Sequence, residues 1–218
     1  ELHFDNFTQE EDSLMAYSLT SHYEQAKEEI HELITHYGAK LLGVKDIENN
    51  INWNQQWEDS FEPIIIGEEI FVRAAFHAPR EGFKHQIIIQ PKMSFGTGHH
   101  ETTQLMMELM LEHDFNGAAC LDMGCGTGVL AILGEQLGAA YTMAIDYDEW
   151  CYENTQENFE LNNMSHASVV HGDVKVLAEE EFLQEWLPYQ HRIILSNITK
   201  NYNLENLGMY HNISQPGT

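Results

Sequence analysis

The chain has 218 residues and is 43% hydrophobic, enough to pack one large or two small domains and too apolar for a disordered chain. Asp and Glu number 35 against 10 Lys and Arg, a formal net charge of -25 that repels nucleic acid and attracts a basic protein, unless it serves only to keep the chain in solution. No apolar run reaches the roughly 18 residues of a membrane span, Glu1 to Glu11 lacks the pattern of a signal peptide, and Cys120, Cys125 and Cys151 form no CxxC pair, so the chain reads as cytoplasmic without disulfide or zinc framework.

Residues 1–50 carry the pattern of a small α+β module. Tyr23 to Tyr37 places Ile30, Leu33, Ile34 and Tyr37 at helical spacing, and Gly38 follows as a stop. Lys40 to Val44, Ile64 to Ile66 and Ile70 to Ala74 have the length of strands, and residues 51–78 are read as a linker region. From residue 79 the texture changes to strand–helix alternation. Strands are predicted at Ile87 to Ile89, Ala118 to Asp122, Thr142 to Asp146, Ser168 to His171 and Arg192 to Ser196. Helices are predicted at Thr102 to His113, at Gly128 to Leu137 and through Asn162. Such alternation predicts a Rossmann-like α/β domain over residues 79–218, a mainly parallel sheet with helices on both faces. Its ligand site lies beyond the carboxyl ends of the strands. Gln215-Pro216-Gly217 reads as a turn leading toward a strand that does not follow, so the chain is expected to be truncated.

Each motif falls at a strand end. Asp122-Met123-Gly124-Cys125-Gly126-Thr127-Gly128 is a strand, a glycine turn and a helix start, with GxGxG spacing rather than the GxGxxG of dinucleotide folds. Gly124, Gly126 and Gly128 let the backbone bend sharply and approach a ligand closely. The exposed N–H groups of the helix start suit a carboxylate, while Asp122 attracts an ammonium and repels phosphate. Both preferences fit the amino-acid part of S-adenosyl-L-methionine. Asp146 ends the next strand, where a carboxylate can accept from both ribose hydroxyls, while Asp148 suits the N-cap of the following helix. Asp173 in His171-Gly172-Asp173 either meets the adenine amino group or occupies a turn.

Ser196-Asn197-Ile198 has a more specific rationale. An amine accepting a methyl group needs its lone pair, and a lysine with an ordinary pKa of about 10.4 must first lose a proton. A carboxylate beside it holds that proton more tightly, whereas the neutral amide of Asn197 orients the amine without that penalty. Asn197 is also read, alternatively, as a loop residue. Upstream, His99-His100-Glu101 lacks a third or fourth ligand at zinc-like spacing, so no metal is expected. The cluster is read as a gate and floor over the cofactor.

The stretch Pro91-Lys92-Met93-Ser94-Phe95-Gly96-Thr97-Gly98-His99-His100-Glu101-Thr102-Thr103, the glycine turn and Ser196-Asn197-Ile198 together resemble the ribosomal protein L-eleven methyltransferase family (PrmA type). Asn52 to Trp57, with Phe61-Glu62-Pro63 after it, resembles the linker of the same family. The resemblance implies a class I methyltransferase domain preceded by a ferredoxin-like substrate-recognition domain. It implies transfer from S-adenosyl-L-methionine to lysine and N-terminal amines of one large-subunit ribosomal protein. It puts cofactor contacts on Thr103, Gly124, Asp146 and Asn197, and Phe95, Thr97 and His100 in a covering loop. Asn197 and His100 are the residues assigned to catalysis; Asp122, Gly126, Gly128 and Asp173 complete the expected cofactor set. The front module starts late against the family and Ser214 to Thr218 falls at the family's LKPGG turn, so the last sheet strands are expected to be missing and activity to be weakened. The alternatives are a methyltransferase for a small molecule or nucleic acid, and a cofactor-binding fragment without catalysis. A duplex binder wants a basic stripe, which this acidic chain lacks.

Overall fold

A computed structural model describes residues 6–9, 13–45, 61–92 and 96–214, and the chain forms two compact units, Glu1–Trp57 and Glu58–Thr218. In the first, β1 (Asn6–Gln9) pairs antiparallel with β2 (Leu14–Tyr17), Asn6 opposite Tyr17 and Gln9 opposite Leu14. Helix α1 (Thr20–His36) follows and ends at the expected stop, where Gly38 has φ +66°. There the N–H groups of Gly38 and Ala39 donate to the carbonyls of Thr35 and Ile34. The strand expected at Lys40 to Val44 does not form. That segment is exposed throughout and has no ladder among the described residues, and an unpaired apolar run gains nothing from being extended.

The second unit opens with a three-stranded sheet of β3 (Ile64–Ile66), β4 (Ile70–Ala74) and β5 (His85–Ile89), in that order. The first pair is antiparallel around the turn at Gly67, the second parallel. Residues expected to link two domains are therefore part of the second one. Ile70, Val72 and Ala74 are buried and stand in register with His85, Ile87 and Ile89, so the unit starts at Glu58 rather than at residue 79. The remaining expected linker residues, 51–60, lie outside the described residues.

Helix α2 (Glu101–Leu111) leads into an alternating run. It comprises β6 (Ala119–Met123), α3 (Val129–Gln136), β7 (Tyr141–Asp146), α4 (Glu149–Leu161), β8 (Ala167–His171), a 3-10 turn (Val174–Ala178), α5 (Glu180–Trp186), β9 (Arg192–Leu195) and α6 (Lys200–Ser214). The strands form one parallel sheet in the order β8-β7-β6-β9. Alternation along β6 splits the core in two. Cys120 faces a cluster with Met107, Leu130, Leu133 and Phe159, while Ala119, Leu121 and Met123 face Leu177, Phe182, Trp186 and Tyr210. Helices thus cover both faces, as the strand–helix pattern predicted. Strand order reverses between β6 and β9, and their carboxyl ends flank the crevice where sheets of this kind bind ligands.

One edge of β5 is paired with β4; amide side chains satisfy the other. Gln136 Nε2 donates to the Gln86 carbonyl at 2.9 Å. Asn162 accepts from Ile88 N–H at 2.9 Å and donates to the Ile88 carbonyl at 2.6 Å. Asn158 Oδ1 accepts from Gln90 N–H at 2.7 Å, and Asn154 Nδ2 donates to the Gln90 carbonyl at 3.1 Å. Asn154, Asn158 and Asn162 recur every four residues, one face of a helix, so α4 and its C-cap stand in for a neighbouring strand. Asn162→Ala leaves both polar groups of Ile88 without partners and is expected to lower stability by about 2 kcal/mol or more, read from the urea midpoint. An unchanged midpoint contradicts this account of the edge.

Candidate active site

Four strand tips converge on the crevice. After β6, Gly124, Gly126 and Gly128 have φ of +72°, +57° and +75°, a conformation other residues adopt only with strain. The turn is bound to β7: the N–H groups of Gly124 and Cys125 both donate to the Ile145 carbonyl, at 2.8 and 3.1 Å. A Cβ on Gly124 would stand 2.2 Å from Ile198 Cγ2 after β9, so the glycine turn and the Ser196-Asn197-Ile198 segment touch there without room for one more atom. Gly124→Ala is expected to displace Ile198 and its neighbour Asn197 and weaken cofactor binding about tenfold or more. Adding Ile198→Ala, which removes the clashing methyl, should recover part of the loss in calorimetry. Strictly additive losses would refute the clash.

Asp146, 7% exposed, is the hub of the second tip. Its Oδ2 accepts from Gly126 N–H at 2.9 Å and its Oδ1 from Asp148 N–H at 3.0 Å. Each carboxylate oxygen has two lone pairs, so one on each remains for a ribose hydroxyl. Asp148 caps α4 as expected, accepting from Trp150 N–H at 2.9 Å. Next to Asp146, a cleft of about 420 Å³ is lined by Tyr147, His171, Gly172, Asp173 and Lys175. Asp173 takes the turn role: it accepts from Lys175 N–H at 2.8 Å and pairs with the Lys175 ammonium at 3.1 Å. The Lys175 backbone N–H, then its side chain, hold the carboxyl below its ordinary range.

Asp122 differs from expectation. It is 1% exposed, and its Oδ2 accepts from Ala131 N–H at 3.2 Å in the first turn of α3, inside the protein. A group so enclosed braces the helix start and is not exposed to a ligand's ammonium. Burial, and to a smaller degree Asp146, push its pKa from 3.8 to about 7 against the Ala131 hydrogen bond. A carboxyl whose pKa is raised on folding stabilises the native state most when protonated. That contribution is fully present below about pH 4 and is lost as pH rises toward 7. Asp122→Asn should therefore flatten the fall of the urea midpoint between pH 4 and 7, and an unaltered pH profile would contradict the assignment.

Thr103 and Asn197 come together. Asn197, half-buried after β9, donates from Nδ2 to Oγ1 of the buried Thr103 in α2 at 3.2 Å. His100 is the N-cap of α2, its Nδ1 accepting from Thr102 N–H at 3.2 Å, which commits the ring to the helix that carries Thr103. Thr97 Oγ1 meets His99 Nδ1 at 3.1 Å, and His99 Nε2 meets the Glu62 carbonyl at 3.1 Å. Phe61 packs edge-on against the His99 ring, centroids 4.7 Å apart. Phe95 lies outside the described residues. The sequence reading missed Thr127, whose hydroxyl donates to the Gly96 carbonyl at 2.7 Å, and Asn158, which donates to the Thr127 carbonyl at 2.8 Å. The Asn154-Asn158-Asn162 spacing was the available signal. Among the described residues no three His, Cys, Asp or Glu side chains are grouped to hold a metal, and no helix is long and apolar enough to cross a membrane.

A turn that excludes a Cβ, a carboxylate with lone pairs to spare and an adjoining cleft fit an amino-acid–nucleoside ligand such as S-adenosyl-L-methionine. This sheet order with this site defines a class I methyltransferase. The fold is similar to a solved ribosomal protein L11 methylase from Lactobacillus delbrueckii subsp. bulgaricus, with TM-score 0.59 and 22% identity over 72% of this chain and 76% of that one. The chain belongs to the ribosomal protein L11 methyltransferase (PrmA) family, whose sequence model matches residues 3–208. It is 40% identical to the ribosomal protein L11 methyltransferase of Porphyromonas gingivalis, over 96% of this chain and 70% of that protein. Against that of Phocaeicola vulgatus it is 34% identical, over 100% of this chain and 75% of that protein.

Proposed function

We propose that this protein transfers methyl groups from S-adenosyl-L-methionine to lysine side chains and the N-terminal amine of ribosomal protein L11. The observation that carries the reading is the Asn197–Thr103 hydrogen bond after β9, next to Ile198, which touches the glycine turn. Family membership supports the substrate. The cofactor supplies a methyl group on a positively charged sulfur, ready for direct displacement by an amine. Gly124, Gly126 and Gly128 bind its amino-acid part, and Asp146 its ribose. The cleft beside Asp173 holds the base.

Asn197 then orients the amine. With Nδ2 committed to Thr103, Oδ1 is the acceptor for an amine N–H, which turns the nitrogen lone pair toward the methyl group. An uncharged amide leaves the amine free to shed its proton, which a carboxylate would retain. His100 acts through position: by capping α2 it fixes where Thr103, and so Asn197, stands. Residues 1–50 belong to a ferredoxin-like recognition domain, a reading supported by the β1–β2 hairpin and α1. The formal charge of -25 favours a basic substrate over duplex nucleic acid, and the reaction belongs to the cytoplasm, where ribosomes assemble.

The test is mass spectrometry of purified ribosomal protein L11 incubated with this chain and the cofactor. Increments of one methyl on amines are expected. Methyl groups found only on RNA or on small amines, or cofactor binding without any turnover, would overturn the proposal. Asn197→Ala should reduce kcat on the order of tenfold to a hundredfold while cofactor affinity changes little, because only the reacting amine loses its partner.

A further inference from the structure

We infer that Asn158 is a positioning residue for the cofactor turn, joining Thr127 within that turn to Gln90 at the end of β5 through the two ends of one side-chain amide. The inference rests on the reading of the strand tips as a cofactor site. Asn158 is completely buried in α4, one helical turn from Asn154 and from Asn162. Its Oδ1 accepts from Gln90 N–H at 2.7 Å, and its Nδ2 donates to the Thr127 carbonyl at 2.8 Å. Thr127 is completely buried as well, and its hydroxyl donates to the Gly96 carbonyl at 2.7 Å. Gln90 and Gly96 are thus both tied to a single residue of the glycine turn, Gly96 directly and Gln90 through Asn158.

The same helix grips the turn a second time, because the Thr155 hydroxyl donates to the Gly126 carbonyl at 2.9 Å. Peptide units are planar, so fixing the carbonyls of Gly126 and Thr127 fixes the planes of two successive peptides in the turn. An amide suits the Asn158 position for a simple reason: one neighbour is a donor and the other an acceptor, and neither a carboxylate nor an alkyl group answers both. Among the described residues, the side chain of the chemically identical Asn162 hydrogen-bonds to Ile88 and the Asn158 carbonyl. It shares the burden of holding β5 without reaching the turn, and so separates a structural role from a positioning one.

The experiment is calorimetric titration of S-adenosyl-L-methionine into the wild-type chain, Asn158→Ala and Asn162→Ala, with Tm measured for each. Both variants should lower Tm. Asn158→Ala should weaken cofactor binding about tenfold, the loss expected for a buried carbonyl left without its donor, while Asn162→Ala leaves the affinity unchanged. Asn158→Asp, titrated above about pH 9 so that the buried carboxyl is ionised, keeps the acceptor for Gln90 and lacks the donor for Thr127; it should match Asn158→Ala, and it decides the same comparison if the alanine variant does not fold. Equal loss of affinity at positions 158 and 162, or full affinity in both Asn158 variants, overturns the inference alone. Absence of binding to the wild-type chain overturns the cofactor reading, and the inference with it.

Discussion

The second unit depends on how one exposed strand edge is satisfied. A sheet edge left bare presents unpaired N–H and C=O groups, which cost free energy when buried. Here Gln86 and Ile88 of β5, and Gln90 just after it, are met by amide side chains from α3 and from α4 with its C-cap. The three-stranded sheet is thereby bound to the helices that cover the four-stranded sheet, instead of extending that sheet. The chain leaving β5 is delivered beside the glycine turn because its last backbone groups are tied to α4.

Charge at the crevice obeys the same economy of partners. The chain is strongly acidic, yet its two innermost carboxylates, Asp122 and Asp146, meet backbone N–H groups rather than lysine or arginine. Asp146 keeps lone pairs available and precedes Tyr147, which lines the cleft; Asp122, enclosed, has burial working against its charge. Two aspartates at neighbouring strand tips thus serve different ends. Depth and the direction of the nearest N–H groups separate them, and residue type does not.

Much of this was legible because periodicity and turn chemistry are local. Strand–helix alternation from Ala118 onward gave the parallel sheet, and the helix stop at Gly38 and helix start at Asp148 were readable from single residues. Lys40 to Val44 shows the limit: a strand-like run needs a partner, and sequence does not supply one. Helix α6 and the segment from Val174 to Trp186 went unread because weak local patterns were settled by the sheet face that buries Leu177, Trp186, Tyr210 and Ile213. Among the site residues, Asp146 and Asn197 announce themselves by strand-end position. Thr127 and Asn158 do not: Thr127 lies 31 residues from Gly96 and from Asn158, and Asn158 lies 68 residues from Gln90.

The amino-acid sequence by itself determined the kind of domain, the glycine turn with its neighbouring aspartates, and the uncharged amide after the fourth parallel strand. Each is written in residues close together, where backbone sterics and side-chain alternation act. Only the tertiary structure decided that β3 and β4 join this unit, that Asp122 faces inward, and that Thr103 meets Asn197 across 94 positions of chain. Those outcomes come from contacts between distant segments, and such contacts exist only once the chain has closed around its two cores.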